Sequence, residues 1–209
     1  MRHIVHGEAP PTLRAALRAQ PNPANPRQAW KEFDHSEVRD QLYLLQHGLC
    51  AYCERVLAAG PGGSSIDHVF PKGSDCRGTF KYENMLLCCT DTKTCNEQKR
   101  GKYFTGFLSP LLPTAPAAYR YDASGTIEPA DPSTKADAKR TIEILNLKAP
   151  HLVTEREAYF ESLSKSIADM ADQLDAVAAL LAAEFQPLND KPFISAKLQL
   201  FAVPVAEAP

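Results

Sequence analysis

The chain has 209 residues, a formal charge of −2, 44% hydrophobic residues and six cysteines. That length bounds it to one domain, or to one core with helical additions. A charge so near zero excludes a protein that coats nucleic acid through bulk positive charge, and no stretch approaches the about 20 apolar residues needed to cross a bilayer as a helix.

The opening MRHIVHGEAPPTLR lacks an apolar run of the signal-peptide kind, so a cytoplasmic location with reduced thiols is expected. Residues 1–35 are rich in proline, with one short helix expected near Leu13 to Ala19 and a loop at PNPANP, 21–26. A helix is expected from Ser36 to His47, with Val38, Leu42 and Leu45 on one face and Gly48 as its stop. The texture then changes. CAYC at 50–53 leads into a loop with Gly60, Pro61, Gly62 and Gly63. Ser65 to Val69 reads as a short strand, broken by Pro71 and Gly73. Residues 74–81 read as polar loop, and Asn84 to Cys88 as a second short strand. Cys95 to Arg100 begins a helix that Gly101 cuts off. Strand, loop, strand and helix between residues 65 and 100 are too close together for a parallel βαβ unit.

Tyr119 to Pro129 reads as a hairpin turning at Asp122 to Gly125, and Ser133 to Leu147 as a helix with Ala138, Ile142 and Leu145 on its apolar face. Pro150 separates this from a long helix expected over 152–185. There Phe160, Leu163, Ile167, Met170, Leu174, Val177 and Leu181 recur at steps of three and four, a heptad-like seam. That seam suits either packing on the chain's own core or an interface for a partner or a second copy. The last 20 residues carry no clear pattern. From Asp67 to Lys102 there are seven basic and five acidic side chains, and from Pro150 onward four basic and nine acidic. A phosphate-facing centre and a solvent- or partner-facing tail would have this distribution.

Two groups of cysteines fit a structural zinc. Cys50 and Cys53 form one Cys-x-x-Cys knuckle, and the second pair must come from Cys88, Cys89 and Cys95. Four thiolates close a zinc tetrahedron and leave no open coordination position. Cys95 is the natural fourth ligand. Cys89 is preferred as the third, because it leaves Cys88 to end a strand with its thiol inward; Cys88 remains the alternative. Cys76 stands alone, without a partner at knuckle spacing.

Between and just after these cysteines lie Asp67-His68, Asn84, Asn96 and Lys99. Hydrolysis of a phosphodiester needs a base for the attacking water, and a neutral imidazole serves near pH 7. It also needs a cation at the developing charge, and Mg²⁺ prefers oxygen ligands such as Asp67 and Asn96. Asp67 and His68 are neighbours on a strand and would reach one cleft only if the strand end bends or bulges. Asn84 is expected to orient the imidazole and Lys99 to hold a phosphate. Each residue also has an ordinary role, such as a helix cap for Asn96 or a solvated charge for Lys99.

The strings CAYCE, IDHVFPKG, YENMLLCC and CNEQKRG together resemble the HNH endonucleases. The opening MR-I, Trp30 and the later TIEILNL with LV-x-ER look like one bacterial subgroup. These are the PtuB-type HNH proteins of Septu and retron-associated anti-phage systems. The resemblance implies an α+β, mostly helical chain with a ββα-metal core and structural zinc, flanked by N- and C-terminal helices. The pattern along the chain is expected to divide it at 1–48, 49–103 and 104–209. The resemblance also implies a DNA endonuclease acting through His68 as base, with Asp67 and Asn96 on one divalent cation, beside a PtuA-like ATPase of the ABC/AAA type. The family's spacing favours Cys89 as the third zinc ligand. Phe70 stands where the subgroup often has an arginine, and five residues separate Cys89 from Cys95 where two are common. A zinc-stapled binding module without catalysis, or an RNA nuclease, are the competing readings.

Overall fold

A computed structural model describes residues 1–58, 62–72, 76–186 and 191–201. Gly60, Pro61, Gly73 and the first two residues of the expected polar loop lie outside them. Among the described residues the fold is α+β, with helices around two small antiparallel sheets.

The N-terminal part folds as three helices: α1 (Pro11–Ala19), α2 (Pro26–Glu32) and α3 (Ser36–Leu45). The sequence reading gave no helix at α2. Its start is nevertheless well specified: Asn25 Oδ1 accepts from the Gln28 N–H at 3.1 Å, and Pro26 occupies the first turn, where a missing N–H costs nothing. Helix α3 buries Val38 and Leu42, and the chain then reverses through His47 and Gly48 at positive φ.

Strands β1 (Ser64–His68) and β2 (Met85–Cys89) form the central hairpin, followed by α4 (Cys95–Lys99). All five residues of β2 are buried. Its outer edge does not face water, because buried Gln46 donates to the Leu87 carbonyl and accepts from its N–H, both at 2.8 Å. The Ala51 N–H adds a second bond to the same carbonyl at 3.0 Å. The knuckle at 50–53 therefore closes an edge that would otherwise carry unpaired backbone groups.

The hairpin β3 (Tyr119–Tyr121) and β4 (Ile127–Pro129) lies where the sequence places it. Gly125 in its turn has φ +77, and a Cβ there would collide with the Val153 carbonyl, so only glycine lets the turn approach the next helix so closely. Helix α5 (Lys135–Leu145) stops at Asn146 in the left-handed region.

The expected helix over 152–185 is two helices, α6 (Pro150–Asp169) and α7 (Leu174–Phe185). The heptad-like seam is therefore not continuous. Phe160 and Leu163 are buried, whereas Leu174 is 78% exposed. The break carries no proline or glycine; tertiary pairing accounts for the new direction. Glu184 of α7 accepts from Tyr159 of α6 at 2.7 Å and from Lys197 of α8 (Ile194–Phe201) at 2.9 Å. One buried cluster joins Met1 and Ile4 to the hairpin, the knuckle and Ala196 of α8.

Candidate metal centre and active site

The first knuckle is a tight loop closed by Cys50 N–H to Arg55 carbonyl and Glu54 N–H to Cys50 carbonyl, at 2.9 and 3.0 Å. It faces the end of β2 and the start of α4. The Sγ atoms of Cys50, Cys53, Cys89 and Cys95 all lie within 4.8 Å of one another. Cys50 and Cys95 are 3.7 Å apart, and Cys53 and Cys89 are 3.9 Å apart. A zinc tetrahedron with metal–sulfur bonds of about 2.3 Å has edges of about 3.8 Å, so the four thiols fit such an ion. Cys88 is buried but lies outside this set of four, as does Cys76.

Burial pushes the thiols of Cys50, Cys53 and Cys95 upward, while hydrogen bonds from those three push Cys89 down. Four thiols in one buried site cannot all ionise without a cation between them, which is the electrostatic reason such a cluster suits a metal. Arg55 lies alongside, 3.7 Å from Cys89 Sγ, and also pairs with Asp91 and Glu155.

Strand β1 pairs residue for residue with β2, from Ser64 opposite Cys89 to His68 opposite Met85. It contains no bulge; of the two expected devices, a bend or a bulge at the strand end, the chain has the bend, at Val69 and Phe70 directly after His68. The strand simply ends at His68, and Asp67, His68 and Asn96 all line one cleft of about 370 Å³ with Arg27, Lys72 and Arg100. Asp67 is buried: its Oδ2 accepts from Tyr52 at 2.6 Å and its Oδ1 from Lys99 at 3.0 Å. Burial raises its pKa, and Lys99 and Tyr52 oppose that rise. Asn96 donates from Nδ2 to Ser65 Oγ at 3.0 Å, which fixes its amide against β1.

His68 is held between two partners. Its Nε2 lies 2.9 Å from the Thr79 carbonyl, which can only accept, so Nε2 carries the proton and Nδ1 is the basic atom. Nδ1 lies 3.0 Å from Lys72 Nζ. Burial, followed by the Lys72 charge, lowers the imidazole pKa to about 3, so it is neutral at physiological pH. The Trp30 ring packs edge-on against His68 with centroids 4.6 Å apart.

Two expected roles need correction. Lys99 is fully buried, with Nζ 2.9 Å from the His68 carbonyl as well as bonded to Asp67, so it does not present its charge to a phosphate. One helical turn from Cys95, it points inward beneath the strand, where an ammonium needs a carboxylate partner. Asn84 does not touch the imidazole. Its Oδ1 accepts from the Phe70 N–H at 2.7 Å, and its Nδ2 donates to the Phe70 and Gly78 carbonyls at 2.9 and 3.2 Å. Asn84 thus clamps the loop after β1, and the Thr79 carbonyl does the orienting.

No family model matches the chain. A curated relative, the "Retron Vc95 putative HNH endonuclease" of Vibrio cholerae serotype O1 biovar El Tor, is 31% identical over 136 residues. That stretch is 60% of this chain and 64% of that protein. The chain resembles an HNH endonuclease of the retron-associated kind. It spans just under two thirds of the relative's length.

Sequence reasoning missed Arg27 and Lys72, which line the cleft, and Tyr52 and Thr79, which hold Asp67 and His68 in place. The tyrosine sat inside the CAYC knuckle, and its value as a buried donor is visible only once the knuckle folds over Asp67. Arg27 and Trp30 arrive on α2, where the proline-rich sequence suggests loop. No helix among the described residues is long and apolar enough to cross a membrane.

Proposed function

We propose that the chain is a metal-dependent HNH endonuclease hydrolysing DNA phosphodiester bonds, the nuclease component of an anti-phage system that acts with an ATPase partner. The observation that carries the reading is the convergence of Asp67, His68 and Asn96 on one cleft, with a helix that begins at a cysteine of the zinc-type cluster. The relative's printed description supports the same activity and its association with a retron.

In this reading Nδ1 of His68 takes a proton from water as the water oxygen bonds to phosphorus. The P–O3′ bond breaks, and the leaving oxygen gains a proton from solvent. The Thr79 carbonyl holds the imidazole in the tautomer that allows this. Asp67 and Asn96 would hold a hard divalent cation such as Mg²⁺, which suits a site with few protein oxygens because it keeps several waters. When bound, that cation supplies electrostatic stabilisation of the leaving oxygen. The four-cysteine site, filled by zinc, would fix α4 and with it Asn96.

A plasmid-nicking assay with added Mg²⁺ or Mn²⁺, with and without EDTA, tests the reading. His68→Ala should slow cleavage by roughly 10²–10⁴-fold while zinc content and folding persist. An unchanged rate overturns the assignment of the base. Cation-independent DNA binding with no nicking by the wild-type protein would favour the binding-module reading, and cleavage of labelled RNA in preference to DNA would redirect the substrate.

The partner reading draws support from α7, where Leu174 and much of an alanine- and leucine-rich helix lie outside the core. Self-association through the same helix would use the same surface. Leu174→Asp should abolish co-purification with an ATPase encoded beside the nuclease, or convert an oligomer to a monomer on sizing. If both are retained in the folded variant, α7 is not the interface.

A further inference from the structure

The basic nitrogen of His68 already has a partner. With Nε2 committed to Thr79, Nδ1 supplies the only lone pair that could accept a proton from water, and Lys72 Nζ lies on it at 3.0 Å. An ammonium has no acceptor, so this contact is Lys72 donating to the lone pair that catalysis needs. The same ammonium lies 5.3 Å from the centroid of the Trp30 ring. Arg27 and Arg100 line the same cleft, as does the acidic Glu97. Burial, and then the charges of Lys99 and Arg27, press Lys72 down to about 8, with Asp67 resisting. The side chain is thus a cation crowded by cations and bonded to a neutral acceptor.

We propose that Lys72 is a phosphate-binding residue of this cleft that masks the base until substrate arrives. It donates to His68 Nδ1 in the arrangement seen here. A phosphodiester entering beside Arg27 and Arg100 offers an anionic oxygen, which forms an ion pair with the ammonium that the neutral imidazole nitrogen cannot form. The four-carbon stem lets Nζ transfer to that oxygen. Nδ1 is then free to face the attacking water. One residue ties exposure of the base to occupancy by phosphate, and it takes over the phosphate contact that the sequence pattern assigns to Lys99. The inference rests on the nuclease reading for its catalytic consequence, but not for the phosphate contact.

Trp30 is the single tryptophan of the chain, so its fluorescence reports departure of the ammonium. A short DNA duplex is titrated without added Mg²⁺ or Mn²⁺ into zinc-loaded wild-type protein, Lys72→Met and Lys72→Gln. Trp30 emission and the ¹⁵N resonance of His68 Nδ1 are followed together. In the wild type, saturating DNA should shift both signals. In the variants, both should sit near their DNA-bound positions before DNA is added, and DNA affinity should fall about tenfold. In cleavage with Mg²⁺ the variants should show a raised KM and a kcat within about threefold of wild type, a split that general damage to the fold would not give. An Nδ1 resonance that stays put in wild-type protein saturated with DNA overturns the proposal, with no variant needed. So does wild-type affinity in both variants. If the shifts occur but wild-type protein never cuts, the Lys72 contact stands and the nuclease reading falls.

Discussion

Lys99→Met separates a buried structural cation from a surface phosphate contact. The Lys99 side chain is wholly buried, with Nζ 3.0 Å from Asp67 Oδ1 and 2.9 Å from the His68 carbonyl, and the Asp67 side chain is 5% exposed. Methionine fills the space of the stem but removes the Lys99 donor from Asp67 Oδ1 and from the His68 carbonyl. Removing one partner of a buried pair costs about 3–5 kcal/mol. The lower end applies here, because Tyr52 still donates to Asp67 at 2.6 Å and burial already favours the protonated carboxyl, which gives the variant an escape. About 3 kcal/mol corresponds to a Tm lower by about 6–12 °C for a chain of this size. Urea unfolding followed by circular dichroism, at fixed zinc, measures it. Asp67→Asn combined with Lys99→Met should recover a substantial part of the loss, a coupling of about 1–3 kcal/mol. The reasoning fails if Lys99→Met unfolds within about 0.5 kcal/mol of wild type, the range of an ordinary surface change, while DNA affinity collapses.

Metal content distinguishes the neighbouring cysteines. Cys89→Ser should reduce bound zinc well below one per chain by elemental analysis and lower stability by several kcal/mol, whereas Cys88→Ser should keep its zinc. The reverse pattern would move the third ligand to Cys88. His68 gives a signed pH dependence. Its folded pKa of about 3 lies below the ordinary 6.5, so the unfolded chain binds the proton first. The stability this supplies is complete above about pH 6.5 and is lost as pH falls toward 3. Each pH unit in that window is worth up to about 1.4 kcal/mol, so wild-type stability should decline more steeply than that of His68→Asn between pH 6 and 4.5. Parallel declines would mean that the ring is not held neutral.

The strand–strand–helix order around the cysteines was legible because each element has a local signal. Val69 and the run from Met85 to Cys89 are apolar, Pro71 and Gly101 are breakers, and thiols recur at knuckle spacing. Element ends moved by a residue or two, as hydrogen-bonded ends do. Helix α2 was lost because proline-rich flanks read as loop, although Asn25 followed by Pro26 is a start signal in its own right. The division of the long C-terminal helix had no sequence signature at all. Residues 170–173 include no breaker, and the turn is set by Glu184 meeting Tyr159 and Lys197. At the site, residue types pointed to Asp67, His68 and Asn96 on one cleft, but not to Arg27 and Lys72 beside them, nor to the inward direction of Lys99. Lys99 and Lys72 are both lysines near His68 in space. Only packing decides that the one on α4 goes beneath the strand to Asp67 and the one after Pro71 goes onto the imidazole.

The knuckle also explains why the helical additions are not decoration on a core built around four cysteines. The two residues that follow it, buried Glu54 and half-buried Arg55, are charged, and each is satisfied by a distant segment. Glu54 is 2% exposed and accepts from the Ser195 N–H and hydroxyl at 2.8 and 2.6 Å and from the Arg2 N–H at 2.8 Å. Arg55 reaches Asp91 beside Cys89 and Glu155 on α6, and Asp91 in turn takes His151 at 2.7 Å. A buried carboxylate is tolerated only with several donors, so Glu54 requires both α8 and the N-terminal segment to be in place. These bonds cross the boundaries at 48 and 103 that the sequence pattern suggests. The loop that presents Cys50 and Cys53 is therefore held from outside by α6 and α8 as well as from inside by its thiols. Through Cys95 the same frame sets the start of α4, and hence the placement of Asn96 against Ser65 and of Lys99 against Asp67.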